Sequence, residues 1–113
     1  MFIHRHILAI LLVTFCALAG STELGDAVRA YREGSYAQAF KGFEALAEKG
    51  EPLAQTFLGS MYNAGQGVEK NEDLAMSWFR KAAEQGEPSA QRNLGVYYWD
   101  HAENKNDLKD AEK

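Results

Sequence analysis

The stretch Gly50-Glu51-Pro52-Leu53-Ala54-Gln55-Thr56-Phe57-Leu58-Gly59-Ser60-Met61-Tyr62 decides the fold, because the chain carries it again. Gly86-Glu87-Pro88-Ser89-Ala90-Gln91-Arg92-Asn93-Leu94-Gly95-Val96-Tyr97-Tyr98 lies 36 residues further on and is identical at 8 of 13 positions. The same offset carries Ala39 onto Ala75, Phe43 onto Phe79 and Ala47 onto Ala83. Self-similarity at such a period marks stacked repeats, each burying its apolar face against the next.

Each unit reads as two helices. Pro52 and Pro88 suit the first helical turn, where a missing N–H leaves nothing unsatisfied, and Gly50 and Gly86 suit the residue that closes the preceding helix. Gly-Glu-Pro is thus a stop followed at once by a start. In the second helix of the middle unit, Leu74, Ala75, Trp78, Phe79, Ala82 and Ala83 recur at the spacing of one helical face. Asn71 is the expected N-cap, with Glu72 and Asp73 in the first turn, where the helix dipole favours negative charge. Gly59 and Gly95 fall mid-helix, where each costs about 1 kcal/mol relative to alanine. That cost makes sense where two backbones approach closely, with Ala75, Ala82 and Ala83 as the small residues opposite and Tyr62 and Tyr98 filling the wider spaces. In the leading unit Ala39 lies five positions after Gly34, against ten from Gly65 to Ala75. A tight turn is expected in the first helix pair and a longer loop, Gly65 to Lys70, in the second.

These strings resemble a known family. Ala54-Gln55-x-x-Leu58-Gly59-x-Met61-Tyr62-x-x-Gly65-x-Gly67-Val68, then Ala75-x-x-Trp78-Phe79-x-Lys81-Ala82-Ala83-Glu84-Gln85-Gly86, is similar to the Sel1-like repeat pattern of the tetratricopeptide-like superfamily. The leading unit, with Tyr31, Gly34, Tyr36, Ala39 and Phe43, looks more like a plain tetratricopeptide repeat. The resemblance implies an all-α, right-handed α-solenoid of antiparallel helix pairs, about two and a half repeats long. Residues 20–50 form the tetratricopeptide-like hairpin, 51–86 the complete Sel1-like repeat and 87–113 a partial repeat or cap. The last unit departs from the pattern, with His101 in the place of Gly65 and no Gly-x-Gly-Val loop after it; by repeat register the helix from Pro88 is expected to reach about Asp100 and a second to begin near Asp107. An uncovered face there would show Tyr97, Tyr98 or Trp99 to water, and self-association through this end is expected.

The first 19 residues read as a secretory signal. Arg5 lies in a short polar start, Ile7 to Ala19 is an apolar run, and Ala17-Leu18-Ala19 offers a cleavage site after Ala19. The run is well short of the roughly 20 residues that span a bilayer, which disfavours a retained anchor. Phe15 before Cys16 disfavours lipidation. Cleavage leaves a chain from Gly20 without its single cysteine, so no disulfide can support it. With Arg5 gone, 11 basic face 16 acidic residues, a formal charge of −5 against −4 for the whole chain. Mild acidity without a basic patch argues against nucleic acid as a partner. The expected location is the periplasm or the exterior, with no membrane insertion after cleavage.

No catalytic or cofactor chemistry emerges. Gly65-Gln66-Gly67 follows a helix, not a strand, and lacks the rest of a phosphate loop. His101 alone makes no metal site. Some Sel1-like proteins have been described as β-lactamases, but a Ser-x-x-Lys string is missing and Ser77-Trp78-Phe79-Arg80 is the nearest approach. The expected function is a non-enzymatic adaptor that holds a protein or peptide on the concave side, lined by the first helix of each pair. Helical phase assigns to that side Arg29 and Arg32, then Thr56, Ser60 and Asn63, then Arg92, Val96, Trp99 and Asp100. The three arginines with Trp99 would suit an acidic or extended segment. A truncated or remnant reading frame without independent function is the competing expectation.

Overall fold

A computed structural model describes residues 23–111, with side chains described as far as Glu103. The signal segment, residues 1–19, lies outside the described residues. Helix α1 occupies residues 23–32. It is followed by α2 (Tyr36–Glu48), α3 (Pro52–Ala64), α4 (Glu72–Glu84) and α5 (Pro88–Ala111). Among the described residues there is no strand, and the helices form an all-α solenoid of helix pairs. None of the described helices is long and apolar enough to cross a membrane.

The punctuation follows the expected chemistry. At the end of α1 the Ser35 N–H donates to the Ala30 carbonyl at 2.8 Å and the Gly34 N–H to that of Tyr31 at 3.1 Å. This paired closure satisfies carbonyls that a helix end leaves open. The same pair recurs at Gly50-Glu51 and at Gly86-Glu87. Pro52 then opens α3, where Glu51 is the N-cap and its side chain accepts from the Leu53 N–H. Glu87 repeats this ahead of α5, accepting from both the N–H and the hydroxyl of Ser89. Asn71 caps α4 as expected, its side-chain oxygen accepting from the Leu74 N–H at 3.0 Å.

Two apolar clusters hold the stack. The first is aromatic: Phe43 is fully buried and stacks on Phe57 with centroids 4.5 Å apart, while Tyr31 meets both rings edge-on. Leu58 and Met61 complete it, each fully buried; side chains of this size contribute about 1.5–3 kcal/mol when removed from water. The second cluster sets Phe79 and Met76 among Ala75, Ala82 and Ala90. Tyr62 packs against both clusters and joins them.

The α4 face differs from the expected one by a small rotation. Met76 is buried and Leu74 is 42% exposed. Gly59 does mark a close approach: a Cβ there would lie 2.8 Å from the Phe79 ring and 3.1 Å from the Ala75 carbonyl oxygen. The aromatic ring, rather than the alanine methyls, takes the space that the glycine leaves. The Gly65 to Lys70 loop folds back onto the first hairpin. A Cβ on Gly67 would lie 2.5 Å from the Tyr36 carbonyl oxygen, and Tyr31 donates from its hydroxyl to Gln66 Oε1 at 3.0 Å.

The last unit overturns one expectation. No turn forms near Asp100 and no new helix starts near Asp107; α5 continues unbroken to Ala111. The reason is local. The chain from Val96 to Ala111 contains neither glycine nor proline, so it has neither the glycine that ends α3 at Gly65 nor a proline stop.

Candidate binding surface

The repeat positions its polar side chains through a buried amide. Gln55 is 4% exposed, and its Nε2 donates to the Ala47 carbonyl at the end of α2, at 3.1 Å. Its Oε1 accepts from Gln85 Nε2 at 2.8 Å. One side chain therefore ties α3 to the ends of both α2 and α4. Gln91 repeats the first bond, donating to the Ala83 carbonyl at 3.3 Å. Ala-Gln thus recurs with the same role in both units: alanine lets the helices close, and the amide adds a second donor to a carbonyl that already accepts from the Gly50 or Gly86 N–H.

A groove of about 330 Å³ opens between α3, α4 and α5. Ser60 and Asn63 line it from α3, and Asn93, Val96, Tyr97, Asp100 and His101 from α5. Met76 and Phe79 of α4 contribute an apolar portion, and Glu72 adds a carboxylate. No lysine or arginine is among the lining residues. His101 is held over Tyr97, with its Nδ1 2.8 Å from the Tyr97 carbonyl oxygen.

Of the residues assigned to the concave side, Ser60, Asn63, Val96 and Asp100 come together in this groove. Thr56 is a correction: it is 6% exposed, and its hydroxyl donates back to the Pro52 carbonyl at 3.0 Å. Helical phase put it on the surface; α4 packing on α3 buries that side of the helix. Arg29 and Arg32 line a different recess with Leu24, Val28 and Leu53, which shares no residue with the groove. Arg29 there pairs with Asp26. Arg92 and Trp99 are exposed but do not line the groove. The three arginines and Trp99 therefore do not form one site.

The groove residues that helical phase missed are Glu72, Met76, Phe79, Asn93, Tyr97 and His101. Three of them belong to the second helix of the pair, which the pattern assigned to capping and core. Asn93 and Tyr97 carry a legible signal, since they fall at i and i+4 beside Asp100.

Elsewhere the chemistry is structural. The Ser77 hydroxyl donates to the Leu74 carbonyl one turn back, at 2.8 Å. Among the described residues no group of three or more His, Cys, Asp or Glu is placed to hold a metal ion. Arg80 donates to the Tyr98 hydroxyl from Nε and Nη2, at 3.3 and 3.2 Å. That hydrogen bond raises the guanidinium above its already high range. Burial, and secondarily the Glu44 carboxylate, raises the Tyr62 phenol.

Comparison with known proteins agrees with this architecture. The Sel1 repeat model matches residues 52–87 and 88–100. A crystal structure of a Sel1 repeat protein from Oxalobacter formigenes is similar, at 39% identity and a TM-score of 0.62. The similarity covers 66% of this chain and 31% of that one, so the chain spans about a third of its length. No curated protein matches the chain.

Proposed function

With a Sel1-like repeat protein as the premise, we propose that this chain is an exported, non-catalytic adaptor that holds a protein or peptide segment in the α3–α5 groove. Sel1 repeats form a scaffold for protein–protein interaction. The observation that carries the reading is the groove itself, where Ser60, Asn63, Asn93 and Asp100 surround an apolar portion presented by Val96 and Tyr97 over the buried Met76 and Phe79. Few, well-placed polar groups around apolar surface fix the orientation of an extended segment. Glu72 and Asp100 with no lining cation suit a segment that brings amide or cationic donors, in place of the acidic one that the arginines alone suggested. Export is supported by the signal pattern of residues 1–19.

Photo-crosslinking in the producing cells tests the reading. Photoreactive residues at Asn63 and Asp100 should capture the same partner, and one at exposed Lys41 on α2 should not. No adduct, or equal capture from Lys41, would overturn the groove as the docking site. N-terminal sequencing of the exported chain should begin at Gly20. The chain should leave nitrocefin unhydrolysed.

A further inference from the structure

Repetition makes α3 a template for α5. On α3, the side bearing Gln55, Thr56 and Gly59 is buried under α4, with the Phe79 ring in the notch at Gly59. On α5 the equivalent positions are Gln91, Arg92 and Gly95, and all three are exposed. A Cβ on Gly95 would meet nothing within 4 Å. Tyr98 is 51% and Trp99 67% exposed on the same side, and Ala102 is exposed one turn further along. At 3.6 residues per turn, Gln91, Gly95, Tyr98, Trp99 and Ala102 form one stripe. Ala90, Leu94 and Tyr97, on the opposite side of the helix, pack against the α4 cluster.

The stripe carries both halves of a contact. Gly95 and Ala102 are small; Tyr98 and Trp99 are large. On α3 and α4 these halves sit on two antiparallel helices; on α5 they sit on one. We propose that α5 is a homodimer surface, with the α5 helices of two copies packed antiparallel about a two-fold axis level with Tyr97 and Tyr98. Antiparallel packing at that level sets the notch at Gly95 against Tyr98, Trp99 and Ala102 of the other copy, as Gly59 receives Phe79. Charge specifies the same register. Arg92 and Glu103 lie on one flank of the stripe, and a two-fold axis midway between them brings Arg92 of each copy level with Glu103 of the other. Both residues are exposed and neither has a salt-bridge partner within the described chain. The surface shares no residue with the groove, so a dimer presents two grooves.

One helix pair is a small interface, in the weak and transient class, so the dimer is expected at micromolar to submillimolar concentration. Sedimentation equilibrium of the whole chain, reduced so that Cys16 cannot cross-link, tests it from about 1 to 500 µM. Arg92→Glu and Glu103→Arg should each weaken the dimer about tenfold through like-charge contact, and the double reversal should restore it. Gly95→Leu should abolish it and leave the melting temperature of dilute protein unlowered, since no chain atom occupies that space. A chain monomeric throughout that range overturns the proposal. So does a double reversal no stronger than either single one, or a Gly95→Leu variant that still dimerises.

Discussion

Gly34 and Gly67 form a matched pair that separates backbone conformation from close approach. Both have positive φ, 80° and 71°, yet a Cβ on Gly34 meets nothing within 4 Å while one on Gly67 lies 2.5 Å from the Tyr36 carbonyl oxygen. Gly34→Ala therefore carries only the left-handed penalty of about 1–2 kcal/mol, reduced by the lower entropy of an unfolded alanine, about 0.4–1 kcal/mol. The net expectation is a loss of roughly 0.5–1.5 kcal/mol. Gly67→Ala carries the same penalty and must also move by 0.9 Å, the 3.4 Å of an ordinary contact less 2.5 Å. The obstacle is backbone at the first turn of α2 and has no rotamer with which to yield. Overpacking of this kind costs about 1–3 kcal/mol. The shift also pulls Gln66 away from the Tyr31 hydroxyl, a further loss of about 1 kcal/mol. The two variants should differ by roughly 2–4 kcal/mol, which for a domain of this size separates melting temperatures by at least about 10 °C. Urea and thermal unfolding followed by circular dichroism at 222 nm measure both. Equal destabilisation, within about 0.5 kcal/mol, would refute the docking of the loop on the first hairpin and leave the glycines as turn formers only.

Gln55→Ala should destabilise the chain by about 1–2 kcal/mol, because it removes two hydrogen bonds made by a buried side chain, although the Ala47 carbonyl keeps the Gly50 N–H. The equivalent Gln91→Ala should lie within about 0.5 kcal/mol of the parent in urea unfolding of dilute protein, since water replaces an exposed amide. Asn71→Ala should cost about 1 kcal/mol by removing the cap on the Leu74 N–H, and Asn71→Asp should recover most of it. Tyr62 gives a pH signature. Its phenol is raised in the folded chain, so the fold favours the neutral form; stability is intact below the ordinary tyrosine pKa of about 10 and falls as pH rises through the folded value. Stability measured from pH 8 to 11 should therefore fall less steeply in Tyr62→Phe than in the parent, and parallel profiles would contradict the assignment.

The sequence by itself determined most of the punctuation that rests on short-range chemistry, the end of α5 being the exception. Gly-Glu-Pro strings end and begin helices through groups only a few residues apart, and Asn71 caps α4 for the same reason. The 36-residue offset established that the helices stack, because each unit leaves an apolar face that only a copy of itself completes. What lay beyond that reach was decided by tertiary packing. Thr56 and Arg92 occupy the same place in the repeat, yet α4 buries Thr56 while Arg92 remains exposed. Gly59 and Gly95 are likewise equivalent in pattern, and only Gly59 has a ring pressed against it. Helical phase tells which residues share a side of a helix; it does not tell which neighbour covers that side. Hence Arg29 and Arg32 fell into one recess and Asn63 and Asp100 into another groove. A periodic sequence specifies which faces can pack on one another, while the burial of each face depends on what packs against it.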